Sequence, residues 1–368
     1  MVWSKTAIVH EWLVNYAGSE RVVESFTNIW KDADVFTLVD FLDDEQRNVI
    51  LKGKKANTTF IQKLPLARKK HRYYLPLFPA AIERFNLSHY KLIISSAHAV
   101  SKGVRTNKNQ LHICYCHSPM RYAWDQSDQY LTGAKGFIAK SFMNYLRNWD
   151  LKSAENVNFF IANSNHIAEK IKRIYKRDSV VIYPPVDVDK FEVSEIREDY
   201  YVTASRLVPY KKTDLIVEAF NQMPDKKLFV IGSGPEKEKL KTLAGANIEF
   251  LGYQPEEQLK QYLKRAKAFV FAAEEDFGII VVEAMACGTP VIALNKGGTA
   301  ESVLNNKTGI HFSEQTPDSI KEAIIKFEKS IENFDPQFIR KHAEKFNRKT
   351  FEDKIIKFVT DKLENFQK

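Results

Sequence analysis

The sequence predicts an α/β fold made of two doubly wound parallel sheets, and three observations carry that expectation. Short apolar runs alternate with amphipathic segments along the whole chain, as when strands pair in parallel through helical crossovers. The alternation stops once, over VIYPPVDVDKFEVSEIRED, where two prolines and a charged stretch without helical period read as a linker. At 368 residues the chain is also longer than one core usually fills.

Before the linker, TAIVH reads as a strand, and SERVVESFTNIW then sets Val22, Phe26, Ile29 and Trp30 at helical spacing. KLIISS, LHICYC and VNFFIA follow as buried strands, and HIAEKIKRIY as a helix. After it, YYVTAS, KLFVIG, NIEFLG, AFVFAA and PVIAL are strands separated by helical segments. The boundaries fall at residues 1–182 and 183–348. A final amphipathic helix, 349–368, carries Phe351, Ile355, Phe358, Val359 and Leu363 on one face. In two such sheets ligands belong beyond the carboxyl ends of the strands, so the expected site is the cleft between the domains.

Composition narrows the function classes. Hydrophobic residues make up 44% and charged residues 27%, the balance of an ordinary globular protein. There is no run of about 18 apolar residues to span a membrane, and MVWSKTAIVHEWL enters a strand at once rather than a secretory signal. A cytoplasmic protein is expected. The three cysteines, Cys114, Cys116 and Cys287, form no paired framework, which fits a reducing compartment. Cys114 and Cys116 lie two apart on a strand and should share a face. A net charge of +9 favours an anionic partner.

The richest segment is FVFAAEEDFGIIVVEAMACGTPVIALNKGGTAES. A strand ends at Ala272-Ala273, the turn holds Glu275 to Gly278, and a helix runs to about Ala286, where Gly288 stops it. On one continuous helix Glu275 and Glu283 would be roughly 12 Å apart along the axis, too far to flank one bond. Glu275 therefore precedes the helix, Glu283 lies within it, and the amides of Gly278, Ile279 and Ile280 make an anion site at its start.

This run resembles the signature of retaining glycosyltransferase family four, with a glutamate, seven residues, a second glutamate and a Gly-x-Pro-Val ending. The resemblance implies a GT-B fold with an interdomain cleft, the last helix crossing back onto the first domain. It assigns Glu275 to the donor sugar, Glu283 to the ribose hydroxyls, and the amides of Phe277, Gly278, Ile279 and Ile280 to the diphosphate. GGTAES resembles the family's Gly-Gly-x-x-Glu turn and brings Gly297, Gly298 and Glu301 near the site. SRLVPYKKTD resembles the element whose arginine and lysine hold the diphosphate, here Arg206 and Lys211, although Ser205 and Lys212 replace glycines. A guanidinium fork and a point cation suit a leaving group on which charge grows. Gly234, in the turn of LFVIGSGPEKEKL, lies beside the nucleotide by the same resemblance. Lys237 stands where a dinucleotide fingerprint needs its third glycine, which argues against a nicotinamide enzyme.

NYAGSERVVE resembles the glycine-rich loop that approaches the donor phosphate, with Gly18 as first glycine and Ser19 in place of the second. Read without a ligand, Ser19 simply caps the next helix. ICYCHSPMRYAWD ends a strand at His117, and its longer string resembles bacterial mannosyltransferases of polysaccharide assembly. That resemblance puts His117 on the donor sugar and makes Arg121, Tyr122, Trp124 and Asp125 acceptor-side candidates. It implies GDP-mannose as donor and a lipid-linked or oligosaccharide acceptor; a UDP-sugar donor and an epimerase on the same scaffold stay open. Asp187 and Asp189 have the spacing of a metal pair but sit in the linker, so transfer without a cofactor or metal is expected. LARKKHRYYLPLF sets Arg68, Lys69, Lys70 and Arg72 beside aromatic and aliphatic groups. That composition suits an anionic membrane surface, whereas no nucleic-acid motif accompanies it.

Overall fold

The computed structural model describes residues 5–124 and 136–366. The chain divides into two compact units, Met1–Pro185 with Phe351–Lys368, and Val186–Thr350. In the first, seven parallel strands are ordered β3-β2-β1-β4-β5-β6-β7. They are β1 (Thr6–His10), β2 (Asp34–Thr37), β3 (Asn57–Thr58), β4 (Leu92–Ala97), β5 (Leu111–Cys116), β6 (Phe159–Ala162) and β7 (Ser179–Val181). The chain steps outward from β1 to β3, then returns to β4 on the other side of β1, which places the topological switch between β1 and β4. There His10 pairs with Ser96.

The second unit repeats the scheme with six parallel strands, ordered β10-β9-β8-β11-β12-β13. These are β8 (Tyr200–Ala204), β9 (Lys227–Ile231), β10 (Ile248–Gly252), β11 (Ala268–Phe271), β12 (Val291–Leu294) and β13 (Gly309–Phe312). Its switch lies between β8 and β11.

Both faces of the first sheet are covered, so its strands read as continuous apolar runs. Alternation sends Val9 and Ile93 into one core with Phe78, Met120 and Leu146, and Ile8 and Ile94 into another with Val22, Phe26 and Tyr115. The helix Arg348–Phe366 closes the latter core: Phe351, Ile355 and Val359, four residues apart, are buried there. The Phe351 ring stacks on Phe26 at 6.1 Å and meets Tyr115 edge-on at 5.6 Å. Cys114 and Cys116 share a third core with Phe160 and Ile167, both free and buried, as residues two apart on a strand must. Among the described residues no helix is long and apolar enough to cross a membrane.

One buried charge ties several of these elements together. Lys102, in the turn Ser101–Gly103, pairs with Asp150 of the helix Gly136–Glu155, and both are buried. The other Asp150 oxygen accepts 2.8 Å bonds from Trp124 Nε1 and the Tyr175 hydroxyl. Removing one partner of such a pair leaves the other charge uncompensated. Asp150→Ala should therefore destabilise the first unit by about 3–5 kcal/mol, read from urea unfolding by tryptophan fluorescence. An unchanged midpoint would contradict the assignment.

Candidate functional site

In the second unit the loops that leave the carboxyl ends of β8, β9, β11 and β12 interlock through their backbones. Ser205 N–H donates to Ile231 O at 3.1 Å and Leu207 N–H to Ser233 O at 2.9 Å, which clasps the loops after β8 and β9. At Gly234 a side chain would begin 2.2 Å from Leu207 O. Gly298 N–H donates to Glu275 O at 2.8 Å, and a Cβ at Gly298 would stand 2.3 Å from Phe277 Cα. Only glycine lets these chain segments approach so closely. The pairs Gly232–Gly234 and Gly297–Gly298 thus work as backbone contacts that hold the other two loops.

Held in this way, the turn after β11 delivers the helix Ile279–Ala286, with Gly278 before it at φ 84 and no side chain capping its start. Val281 N–H bonds back to Gly278 O at 3.0 Å. The amides of Gly278, Ile279 and Ile280 find no acceptor among the described residues. Beside them Lys211 Nζ lies 2.6 Å from Glu275 Oε1, with both side chains mostly buried. Lys211 follows Pro209 in a tight turn that ends at Lys212, φ 55. That is the left-handed backbone where the family pattern has glycine, here adopted by a lysine. Arg206 is exposed, its guanidinium 3.4 Å from the Tyr210 hydroxyl. Glu283 lies inside the helix and is buried, and Glu301 sits in the short helix Thr299–Ser302. The Phe277 side chain packs against Phe346 at 5.5 Å, so only its backbone belongs to the turn. Free first-turn amides, the positive helix end and two cations favour an anion.

The first unit has its own anion nest, and it is filled. The buried carboxylate of Glu11, just past β1, accepts from the amides of His98, Ala99, Val100 and Ser101 at 2.8–3.1 Å, and from the Ser101 hydroxyl at 3.0 Å.

His117 follows β5 directly and is 8% exposed. Its Nε2 lies 2.8 Å from Ser96 Oγ, which lies 3.1 Å from His10 Nδ1. His10 Nε2 stands 3.5 Å from Glu20 Oε1. Burial, followed by the neighbouring His98, His10 and Arg121, holds the His117 imidazole well below its usual range, so it is neutral. Gly18 opens the helix Gly18–Ile29, whose N-cap is Ala17. Ser19 is therefore no N-cap: its hydroxyl bonds to Glu20, which also takes the Ala17 amide at 3.1 Å.

Arg121, Tyr122 and Trp124 form one helical turn after His117. Tyr122 and Trp124 pack partly against the core, and the Trp124 indole N–H is committed to Asp150. Asp125 lies outside the described residues. Arg68, Lys69, Lys70 and Arg72 are exposed next to Leu66 and Tyr73, which are 67% and 74% exposed. Ala67, His71, Leu75 and Phe78 anchor the segment from beneath. Asp187 receives Arg348 through two bonds, Nε at 2.5 Å and Nη2 at 2.9 Å.

One sheet edge of the second unit thus collects Arg206, Lys211, Gly234, Glu275, the Phe277–Ile280 turn and Glu283. His117 and the Gly18 helix are linked within the first. Sequence reasoning passed over His10, Glu11, Glu20 and Ser96. The adjacent His10 and Glu11 at the carboxyl end of the first strand were the available signal.

Residues 16–190 match the family model described as Glycosyltransferase Family 4, and residues 187–349 match Glycosyl transferases group 1. The chain is 30% identical over 196 residues to a D-inositol 3-phosphate glycosyltransferase of Mycobacteroides abscessus, covering 45% of this chain and 44% of that one. It is 32% identical over 170 residues to a GDP-mannose-dependent alpha-(1-6)-phosphatidylinositol monomannoside mannosyltransferase of Mycolicibacterium smegmatis, covering 38% and 44%. The match thus spans less than half the length of these relatives. The crystal structure of HepE from Anabaena in complex with UDP superposes with a TM-score of 0.74 at 16% identity, covering 97% of this chain and all of that one. That likeness establishes the GT-B fold.

The buried imidazoles predict acid lability. Burial and the neighbouring Arg72 lower His71 to about 4, and burial lowers His112 to about 4, from a usual 6.5. Between those values the unfolded chain binds more protons than the folded one, so stability is lost as pH falls through that range. Denaturant midpoints should be level above pH 7 and fall steadily from pH 6.5 to 4. A level profile across that interval would refute the assignment.

Proposed function

Both halves of this chain belong to the glycosyltransferases of family four and group 1, and we propose that it transfers a hexose from a nucleoside diphosphate sugar to an acceptor hydroxyl with retention of configuration. The observation that carries this reading is the set of unfilled amides at Gly278, Ile279 and Ile280, with Lys211, Glu275 and Arg206 alongside. As the glycosidic bond breaks, negative charge accumulates on the leaving diphosphate. Donors already fixed where that charge develops lower the barrier without reorganising. Lys211 is held in place by Glu275, and Arg206 offers a planar fork to a phosphate.

On the family resemblance Glu275 contacts the donor sugar, Glu283 binds the ribose, Gly234 lies beside the nucleotide, and His117 meets the sugar. The acceptor hydroxyl then attacks from the face that the diphosphate leaves, and neither glutamate forms a covalent intermediate. With lysine, arginine and amides to neutralise the diphosphate, the reaction proceeds without a divalent ion. We favour GDP-mannose as donor. The His117-to-Asp125 string supports it, as does the similarity to the GDP-mannose-dependent Mycolicibacterium enzyme. The likeness to a UDP complex keeps a UDP-sugar as the second reading.

The test has two arms. Ligands that bind only the folded state raise its melting temperature with the logarithm of saturation. In a panel of GDP, UDP, ADP and their sugars, GDP-mannose should give the largest shift; a larger UDP-sugar shift would transfer the assignment. In the transfer assay Glu275→Gln should lower kcat at least about tenfold, in line with one lost transition-state contact, and a chelator should leave the rate unchanged. Conversion of the nucleotide sugar without any acceptor would point to an epimerase instead.

The exposed Arg68, Lys69, Lys70 and Arg72, flanked by Leu66 and Tyr73, support a lipid-linked acceptor met at an anionic membrane surface. Cosedimentation should show tighter binding to vesicles containing phosphatidylglycerol than to phosphatidylcholine alone, lost in the quadruple alanine variant. Equal binding to both would remove the membrane from the proposal.

A further inference from the structure

The chain Glu20–His10–Ser96–His117 has a direction that hydrogen-bond chemistry dictates. The Glu20 carboxylate already accepts from Ala17 N–H and the Ser19 hydroxyl, and carboxylate oxygens accept rather than donate. His10 must therefore present Nε2–H to it, across 3.5 Å. With its proton on Nε2, His10 offers Nδ1 as an acceptor, and the Ser96 hydroxyl donates its single proton there, at 3.1 Å. Having given that proton away, Ser96 Oγ can only accept from the remaining neighbour, His117 Nε2, at 2.8 Å.

We infer that Glu20, acting through His10 and Ser96, holds His117 as the Nε2–H tautomer and leaves its Nδ1 as a bare acceptor for a hydroxyl of the bound sugar. Glu20, His10 and Ser96 are thus positioning residues for His117. His117 Nδ1 makes no hydrogen bond among the described residues, and the ring is not fully covered. The ring is kept in place from other sides: its own carbonyl accepts from Asn163 Nδ2 at 3.1 Å, Tyr115 meets it edge-on at 5.1 Å, and His98 stands 6.1 Å away. Were His10 to reverse, with Nδ1–H donating to Ser96, the serine proton would point at His117 Nε2 and the proton of His117 would move to Nδ1. The same ring would then donate to the sugar where it now accepts. Glu20 decides between the two.

His10, Glu20 and Ser96 are at most 2% exposed, so water does not compete for these bonds. Glu20 also fixes the first turn of the Gly18 helix, so the glycine loop and the histidine form one hydrogen-bonded assembly within the first unit.

The contact to sugar rests on the proposed transfer reaction; the tautomer does not, and it can be read on the ligand-free full chain. Long-range proton–nitrogen correlation spectra of the histidine-labelled protein, with His117 assigned by its loss in His117→Gln, should show a protonated Nε2 and a bare Nδ1 at pH 7. Glu20→Gln keeps the buried shape but supplies donors as well as acceptors, and Ser96→Ala cuts the chain. Both should give a mixture of His117 tautomers, and Ser96→Thr, which retains the hydroxyl, should restore one. In the transfer assay Glu20→Gln should cost about tenfold in kcat, the lower end for partners that orient a functional histidine. A His117 protonated at Nδ1 in the wild type, or a spectrum unaltered by Glu20→Gln, would overturn the inference whether or not the chain transfers a sugar.

Discussion

The second unit is organised around three backbone amides that find no acceptor among the described residues. Those of Gly278, Ile279 and Ile280 sit at half-buried residues, so water can satisfy them. Everything nearby serves to keep them there. Gly278 takes the left-handed turn that starts the helix without a capping side chain, and Gly298 brings a neighbouring loop against Phe277 at a distance no other residue allows. The first unit shows what the protein does with a comparable nest it does not need: Glu11 fills the amides of His98 to Ser101 permanently. Of the two nests, one is filled by the chain's own carboxylate, and among the described residues the other is not.

The Lys211–Glu275 pair belongs to the same design. A mostly buried ammonium is costly unless compensated, and Glu275 compensates it at 2.6 Å. The pair also fixes both ends, since each side chain holds the other in one position. Arg206 is exposed, its guanidinium 3.4 Å from the Tyr210 hydroxyl.

Much of this was legible in the sequence. The alternating apolar runs identified the long buried strands, because a parallel strand covered on both faces has little choice but Val, Ile, Leu and Phe. The turn and helix around Glu275 and Glu283 were legible from a glycine before the helix and another after it. What escaped were short or edge pieces: β3 is two residues, and β13 is the four-residue GIHF. Ser19 was read as a cap because the residue type suits one; the cap position belongs to Ala17, whose amide donates back to Glu20 inside the helix. The polar chain to His117 was illegible for a stronger reason. His10 and Ser96 are 86 residues apart, and their pairing follows from the register of β1 on β4, which no local spacing records.

That chain also resists a purely structural account. His10, Glu20, Ser96 and His117 occupy space at the carboxyl end of the sheet where apolar side chains of like volume would hold the unit at least as firmly. Burying them is tolerable because the line from Glu20 to His117 Nε2 meets a partner at each step, and a chain linked in that way has one consistent proton arrangement. A core needs shape, and shape does not depend on which nitrogen carries a proton. The arrangement therefore specifies something packing has no use for: the hydrogen-bonding sense of one imidazole nitrogen at the end of β5. Burial, with His98, His10 and Arg121 around it, also holds that imidazole below its usual range.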